Sequence, residues 1–208
     1  KQRNGEEKAS IKLEAGSLLG GVYAFIDNQD RLVMVDGKQN LLRIKAEKKQ
    51  FWFRSKWELS IDESVSLASA VTDHCGGNAC DAVVALSAGK DGTTWFVTQQ
   101  SLVGVYDPAT GSITTTKLAV DERIDNSFST TVDGLAAIAT NRAFYVLQQS
   151  AGDQPQLLWR KAYDAGSARK PGNLSNGTGA TPTFFGPVNG TEFVMITDNA
   201  DDGISLII

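Results

Sequence analysis

Residues 81–118 read DAVVALSAGKDGTTWFVTQQSLVGVYDPATGSITTTKL, and four runs of apolar or β-branched residues alternate there with turns. Two of the turns, 90–92 (KDG) and 107–111 (DPATG), contain the Asp and Gly residues that tight turns favour. The pattern predicts four short antiparallel strands, including strands at 83–86, 94–98 and 103–106.

The same pattern recurs along the chain at intervals of about 40 residues. It is found again at 126–163, where we predict strands at 136–139 and 144–147, and in a looser form at 20–61. Four-stranded units repeated at this interval are typical of the blades of a β-propeller, in which each twisted sheet packs against its neighbours. We therefore expect an all-β fold.

The repeats divide the chain into a short N-terminal segment, 1–19, and a partial propeller, 20–208. The blades are predicted at about 20–61, 81–118, 126–163 and 180–208. The last unit supplies only part of a blade, so about three and a half blades are expected, and an unpaired sheet edge would remain. The sequence thus predicts a larger ring, whose remaining blades come from further sequence or from a second chain.

The composition excludes some classes of partner. The 208 residues are 41% hydrophobic and carry a net charge of −4, and the basic clusters are short, so nucleic acid is not expected as a partner. No apolar run approaches the ~20 residues of a membrane-spanning helix. The lysines at 45–49 fit a solvated strand edge, and the four tryptophans are expected to pack between blades.

The two cysteines, Cys75 and Cys80, are separated by four residues that include two glycines. This spacing favours a small disulfide-bonded loop over a pair of free thiols, and it predicts an extracellular or periplasmic location. A zinc site is not expected, because His74 is the only histidine of the chain.

The alternating strand directions place the three long connections, 62–81, 119–126 and 164–180, on one face of the propeller. Long irregular loops in compact domains are commonly functional, so we expect a small-molecule, glycan or protein ligand on this face. Oxygen-bearing side chains also gather there: Asp81, Asp125, Asn126, Asp198 and Asn199. Carboxylate and amide oxygens suit calcium, although the same residue types also cap turns and strand starts.

Several stretches carry a resemblance to known families. Residues 92–98 (GTTWFVT) and 105–111 (VYDPATG) resemble blades of SMP-30/gluconolactonase-like and quinoprotein-dehydrogenase-like propellers. Residues 123–128 (RIDNSF) are similar to the Asp-Asn element of calcium-dependent lactonases, and residues 179–183 with 196–201 resemble uncharacterised secreted propeller proteins. The lactonase likeness implies that Asp125 and Asn126 bind the metal. The tryptophan that quinoproteins carry after the DPATG-type turn is missing, since 114–116 is TTT.

Two functions from different classes follow. The first is a calcium-dependent lactonase or esterase, in which the cation polarises the substrate carbonyl and Asp81 or Asp125 activates water. The second is a non-catalytic propeller that binds a protein or a glycan on its loop-rich face. The metal site separates the two, because only the first function requires it.

Overall fold

The computed structural model describes residues 5–16, 23–77, 80–149, 154–173 and 175–208. These residues form four antiparallel sheets, three with four strands and the last with three. The predicted all-β class is therefore confirmed. In every sheet the strands follow one another in chain order. No closed ring is detected among the described residues.

The strand bounds are as follows. The first sheet contains β1 (Phe25–Ile26), β2 (Leu32–Val35), β3 (Asn40–Phe51) and β4 (Arg54–Ser66). The second contains β5 (Val83–Ala88), β6 (Thr94–Thr98), β7 (Leu102–Asp107) and β8 (Ser112–Lys117). The third contains β9 (Ser129–Thr130), β10 (Leu135–Ala139), β11 (Ala143–Gln148) and β12 (Gln156–Ala162). The fourth contains β13 (Thr183–Val188), β14 (Thr191–Thr197) and β15 (Leu206–Ile207).

The strands predicted in the second and third sheets are all confirmed. The connection predicted at 62–81 is shorter than expected, because β4 continues to Ser66 and pairs there with Asn40. Helix α1 (Ala68–Thr72) and a 3₁₀ turn at Asp73–Cys75 follow it. No helix of the described ranges is long and apolar enough to cross a membrane.

Consecutive sheets pack face to face and share apolar cores. Alternate residues of β6 show this: Trp95 and Val97 lie in the core shared with the third sheet, whereas Phe96 lies in the core shared with the first. In β10, Ala136 faces the second sheet and Ala137 faces the fourth. Since side chains of a strand alternate between its two faces, a strand that is apolar at every position must be covered on both sides.

A buried arginine also joins the first two sheets. Arg43 of β3 donates to Asp27 at 2.9 Å and to Thr94 of β6 at 3.2 Å. Its Nε lies 2.9 Å from Glu63 but makes no well-aligned hydrogen bond there, so this contact is an ion pair only. Glu63 also accepts a hydrogen bond of 2.7 Å from Tyr106 in β7. The contacts of Arg43 with Thr94 and of Tyr106 with Glu63 cross between the two sheets and restrict how they slide past each other.

The tryptophans only partly meet expectation. Trp95 is fully buried, and its indole N–H donates to Gln149 at 3.1 Å. Trp52 does not pack between sheets: it lies in the turn between β3 and β4, and 94% of it is exposed. Trp57 and Trp159 lie in strands but remain about two-fifths exposed, at 42% and 41%.

Phe96 is the cross-strand neighbour of Gly104 in β7, and its ring leaves no room for a side chain at that position. A Cβ atom at Gly104 would lie 2.1 Å from Cζ of Phe96, which is fully buried and cannot rotate into solvent. The glycine therefore makes room for the aromatic ring that fills the core between the first two sheets.

We expect Gly104→Ala to lower the free energy of unfolding by about 1–3 kcal/mol, because the added methyl overpacks the core. Urea unfolding followed by circular dichroism measures this change. Phe96→Leu should relieve the clash, so the double variant should lose less than the two single variants together. A strictly additive double variant would show that the ring is not what excludes a side chain at Gly104.

Candidate functional site

The face predicted to hold the site is well defined in the structure. The connections between sheets, 67–82, 118–128 and 163–182, lie there together with the turns β2–β3, β6–β7, β10–β11 and β14–β15, because strands alternate in direction. We call this surface the loop-rich face. Backbone hydrogen bonds join the turns to the connections, for example Leu67 to Gln39 at 2.8 Å and Ile124 to Gln99 at 3.1 Å.

Asp81 lies at the start of the second sheet and is fully engaged in hydrogen bonds. Its side chain is 0% exposed. One carboxylate oxygen accepts from the backbone N–H groups of Ala82 at 2.8 Å and Gln100 at 2.9 Å. The other accepts from the hydroxyl of Thr98 at 2.6 Å and lies 3.4 Å from Nε2 of His74. The geometry indicates a carboxylate that fixes the start of β5 to the β6–β7 turn.

Asp125 and Asn126 lie in the connection just before β9, the first strand of the third sheet. The Asp125 side chain is 15% exposed and lies 3.6 Å from the Arg123 guanidinium. The Asn126 amide donates to the backbone carbonyl of Thr178 at 3.0 Å, so it ties the connection 163–182 to the third sheet.

Asn199 holds the other side of the same connection, and Asp198 closes the β14–β15 turn. Asp198 accepts a hydrogen bond of 2.6 Å from the backbone N–H of Ser205, and this bond lowers the pKa of its carboxyl group. The Asn199 amide donates to the carbonyls of Ala165 at 2.8 Å and Ala168 at 3.1 Å. Asn199 is 1% exposed and acts as an internal anchor of the loop.

Tyr163 completes the attachment of this loop. Its hydroxyl accepts from the N–H of Thr178 at 2.9 Å and donates to the carbonyl of Thr140 at 2.5 Å. Burial raises the pKa of Tyr163 to about 12, so the phenol stays protonated and remains a donor. The sequence predicted a long polar loop over the surface; the structure shows that buried side chains hold this loop at several points.

The predicted calcium ligands Asp81, Asp125 and Asp198 are not part of a group of three or more His, Cys or carboxylate ligands among the described residues. Within the described ranges, one group of His, Cys or carboxylate ligand atoms is close enough to hold a metal, with all its atoms within 4.8 Å: His74, Cys75 and Cys80. Cys75 and Cys80 form the predicted disulfide, with Cα atoms 6.5 Å apart, so their sulfurs are not thiolate ligands. Calcium binding stays a prediction.

A cavity of about 430 Å³ opens on the loop-rich face between the first two sheets. It is lined by small and polar residues: Gly37, Lys38, Gln39, Ala68, Thr72, Cys80, Asp81, Ala82 and Gln99. Helix α1 and the disulfide-bonded loop supply one wall, and the turn β2–β3 supplies another. Among the residues predicted to form a site, Asp81 is thus placed at the edge of a cavity of ligand size.

One buried network on this face was not predicted. The Glu122 carboxylate, 3% exposed, accepts from Thr140 at 2.6 Å, Tyr145 at 2.7 Å and Arg160 at 2.5 Å. The backbone carbonyl of Glu122 also accepts from the Ser101 hydroxyl. Its partners lie 18 to 38 residues further along the chain, so no local motif could indicate the network.

The hydrogen-bond partners of Glu122 stabilise the ionised form of its carboxyl group. Burial raises the pKa of Glu122, but the hydrogen bonds from Thr140, Arg160 and Tyr145 outweigh it and hold the pKa below its usual value. Burial and the neighbouring carboxylate raise the pKa of Tyr145. The carboxylate thus stays ionised and the phenol protonated, which makes the group a stable structural link rather than a proton-transfer pair.

We expect Glu122→Gln to lower the free energy of unfolding at pH 7 by about 2 kcal/mol, because Arg160 loses its charged partner. The folded pKa lies below the unfolded one, so this stabilisation is complete above the unfolded value of about 4.5 and disappears as the pH falls through the folded value. The difference between wild type and variant should therefore narrow below about pH 4.5 in urea unfolding. Glu58→Gln, on an exposed strand, serves as the control. A difference that is independent of pH would contradict this role.

Comparison with known proteins assigns no family. No protein-family model matches the chain, and no curated protein matches it. The likeness to SMP-30/gluconolactonase-like and quinoprotein-like propellers thus remains a resemblance of short motifs.

Proposed function

We propose that the four sheets are blades of a β-propeller. Two features support this: each sheet is an antiparallel meander, and consecutive sheets pack face to face in chain order. The fourth sheet also exposes apolar side chains that a further blade would cover. These include Phe185, which stacks on Phe193 at 5.3 Å, and Leu206, which is 59% exposed.

Within this fold we propose a non-catalytic binding module that takes its ligand on the loop-rich face. The proposal rests on the hydrogen bonds that the polar side chains of this face make. The carboxylate of Asp81 and the amides of Asn126 and Asn199 make hydrogen bonds that hold loops in place. A fixed surface with a polar cavity suits recognition, because binding then costs little loop ordering.

The cavity between the first two sheets suits a glycan. At about 430 Å³ it lies in the range of small-ligand sites and could hold one or two sugar rings. The amine of Lys38 and the amide of Gln99 provide donors and an acceptor for sugar hydroxyls. The Thr72 hydroxyl donates to the carbonyl of Ala68 at 2.9 Å and can accept from a ligand. The Lys38 amine lies 2.9 Å from Glu14 and its side chain is 64% exposed, so it can turn toward a ligand.

A glycan array probed with the disulfide-intact chain tests this proposal. We expect Lys38→Ala to weaken binding to any glycan found by about tenfold, since a hydrogen bond to a charged group is lost. Ala68→Phe, which fills the cavity, should weaken it further. Lys90→Ala, on the opposite face, is the matched control and should have no effect. Binding that survives both cavity changes, or an array without a bound glycan, would overturn the glycan assignment.

A calcium-dependent lactonase or esterase remains the second candidate. It is favoured by the adjacent Asp125 and Asn126, both partly exposed at the start of the third sheet. On that hypothesis calcium stabilises the protein by mass action.

For a binding module without calcium, we expect the melting temperature to be the same with excess calcium and with chelator. Hydrolysis of aryl esters and lactones should also be no faster with wild type than with Asp125→Asn. Differential scanning fluorimetry and a spectrophotometric assay measure the two quantities. A calcium-dependent rise in melting temperature that Asp125→Asn removes, together with hydrolysis lost in that variant, would establish the enzyme instead.

A further inference from the structure

The hairpin of β3 and β4 extends well beyond the rest of the first sheet. β2 pairs with β3 only between Leu41 and Ile44, whereas β3 and β4 remain paired as far as Phe51 and Arg54. Residues 45–60, which we call the arm, thus form a two-stranded ribbon about 20 Å long at ~3.3 Å per residue. The alternating strand directions place its tip at the end of the sheet opposite to the loop-rich face.

Three consecutive aromatic residues form the tip of the arm. Phe51 is 56% exposed, Trp52 is 94% exposed and Phe53 is 96% exposed. Two-residue hairpin turns favour Asn-Gly pairs, and Trp52 adopts a positive φ of 44° that disfavours a bulky side chain. The turn itself gains nothing from these side chains. Large aromatic residues in a turn that disfavours them, with no stabilising contact in return, indicate that the tip has a function.

Basic residues lie directly behind the aromatic tip. Residues 48–56 contain four cations and no acidic residue: Lys48, Lys49, Arg54 and Lys56. Lys49 and Lys56 stand opposite each other in the ribbon, and the Lys49 amine also lies 3.6 Å from Glu47 and 3.9 Å from Glu58. The two acidic residues of the arm, Glu47 and Glu58, lie nearer its base. The chain as a whole carries a net charge of −4, so positive charge is concentrated at this end of the arm.

We propose that the arm binds the surface of membranes rich in anionic phospholipids. The aromatic tip enters the boundary between head groups and acyl chains, and the four cations contact the lipid phosphates. Tryptophan and phenylalanine favour this interfacial depth, and each cation near an anionic leaflet strengthens the electrostatic attraction to the membrane.

A bilayer suits the arm better than a protein groove does. The tip is a narrow projection of three large side chains, which a fluid interface accepts without a preformed pocket. The cations lie on both strands behind the tip, so that cations of both strands can approach a negatively charged membrane surface. Because the arm points away from the loop-rich face, the proposed glycan cavity remains accessible when the arm is bound.

Vesicle sedimentation with the full chain tests the proposal. We expect binding to vesicles of phosphatidylcholine with about one third phosphatidylserine, at least tenfold weaker binding to pure phosphatidylcholine, and release in high salt. The double variant Trp52→Ser/Phe53→Ser should weaken binding to the anionic vesicles by about tenfold or more. Lys48→Glu/Lys49→Glu should do the same, because two anions replacing two of the four cations cancel the net positive charge behind the tip.

The controls distinguish binding by the arm from nonspecific binding through other exposed apolar residues. Val120→Ser/Val132→Ser removes two apolar residues that are 84% and 87% exposed elsewhere, and it should leave vesicle binding unchanged. The tip variant should melt at the wild-type temperature, since its side chains lie outside the cores. Three results would overturn the proposal: no sedimentation with anionic vesicles, equal binding to both lipid mixtures, or a tip-dependent dimer in sedimentation velocity without vesicle binding.

Discussion

The structure depends on sheets that are apolar on both faces. Every residue of β6 is buried, and Trp95 and Phe96 point to opposite sides of the same strand. Burying each such side chain is worth about 1.5–3 kcal/mol, so a sheet of this kind is stable only between two neighbours. The stacking leaves the ends of the strands as the place where loops and polar side chains gather. The loop-rich face is therefore a consequence of how the cores are built.

The polar networks add specificity to this stacking. Arg43 crosses from the first sheet to Thr94 of the second, and Glu122 links the second-to-third connection to Tyr145 and Arg160 of the third. Apolar faces alone would tolerate small shifts between sheets, whereas a buried charge without its partners is costly. These networks fix the position of each sheet relative to its neighbour. On the loop-rich face, the polar groups of the Glu122 network are therefore occupied by structural hydrogen bonds.

Much of the fold could be predicted from sequence, because strands and tight turns are local signals. The strand at 94–98 follows from its β-branched and aromatic residues, and the turn at 107–111 follows from its Asp, Pro and Gly. The roles of the site residues could not be predicted, since their partners are distant: Asp81 meets Thr98, and Asn126 meets Thr178. The arm was missed for another reason. Its turn contains Trp52 and Phe53, which carry none of the usual turn signals.

The strictly sequential order of strands has a consequence for how the chain folds. Each hairpin closes over a few residues, so the meanders can form quickly and separately before the faces between them join. Every sheet then depends chiefly on its immediate neighbours, as in other repeat architectures. The second sheet, with Trp95 and Phe96 covered on both sides, should therefore exchange its amide protons more slowly than the exposed end of the β3–β4 hairpin.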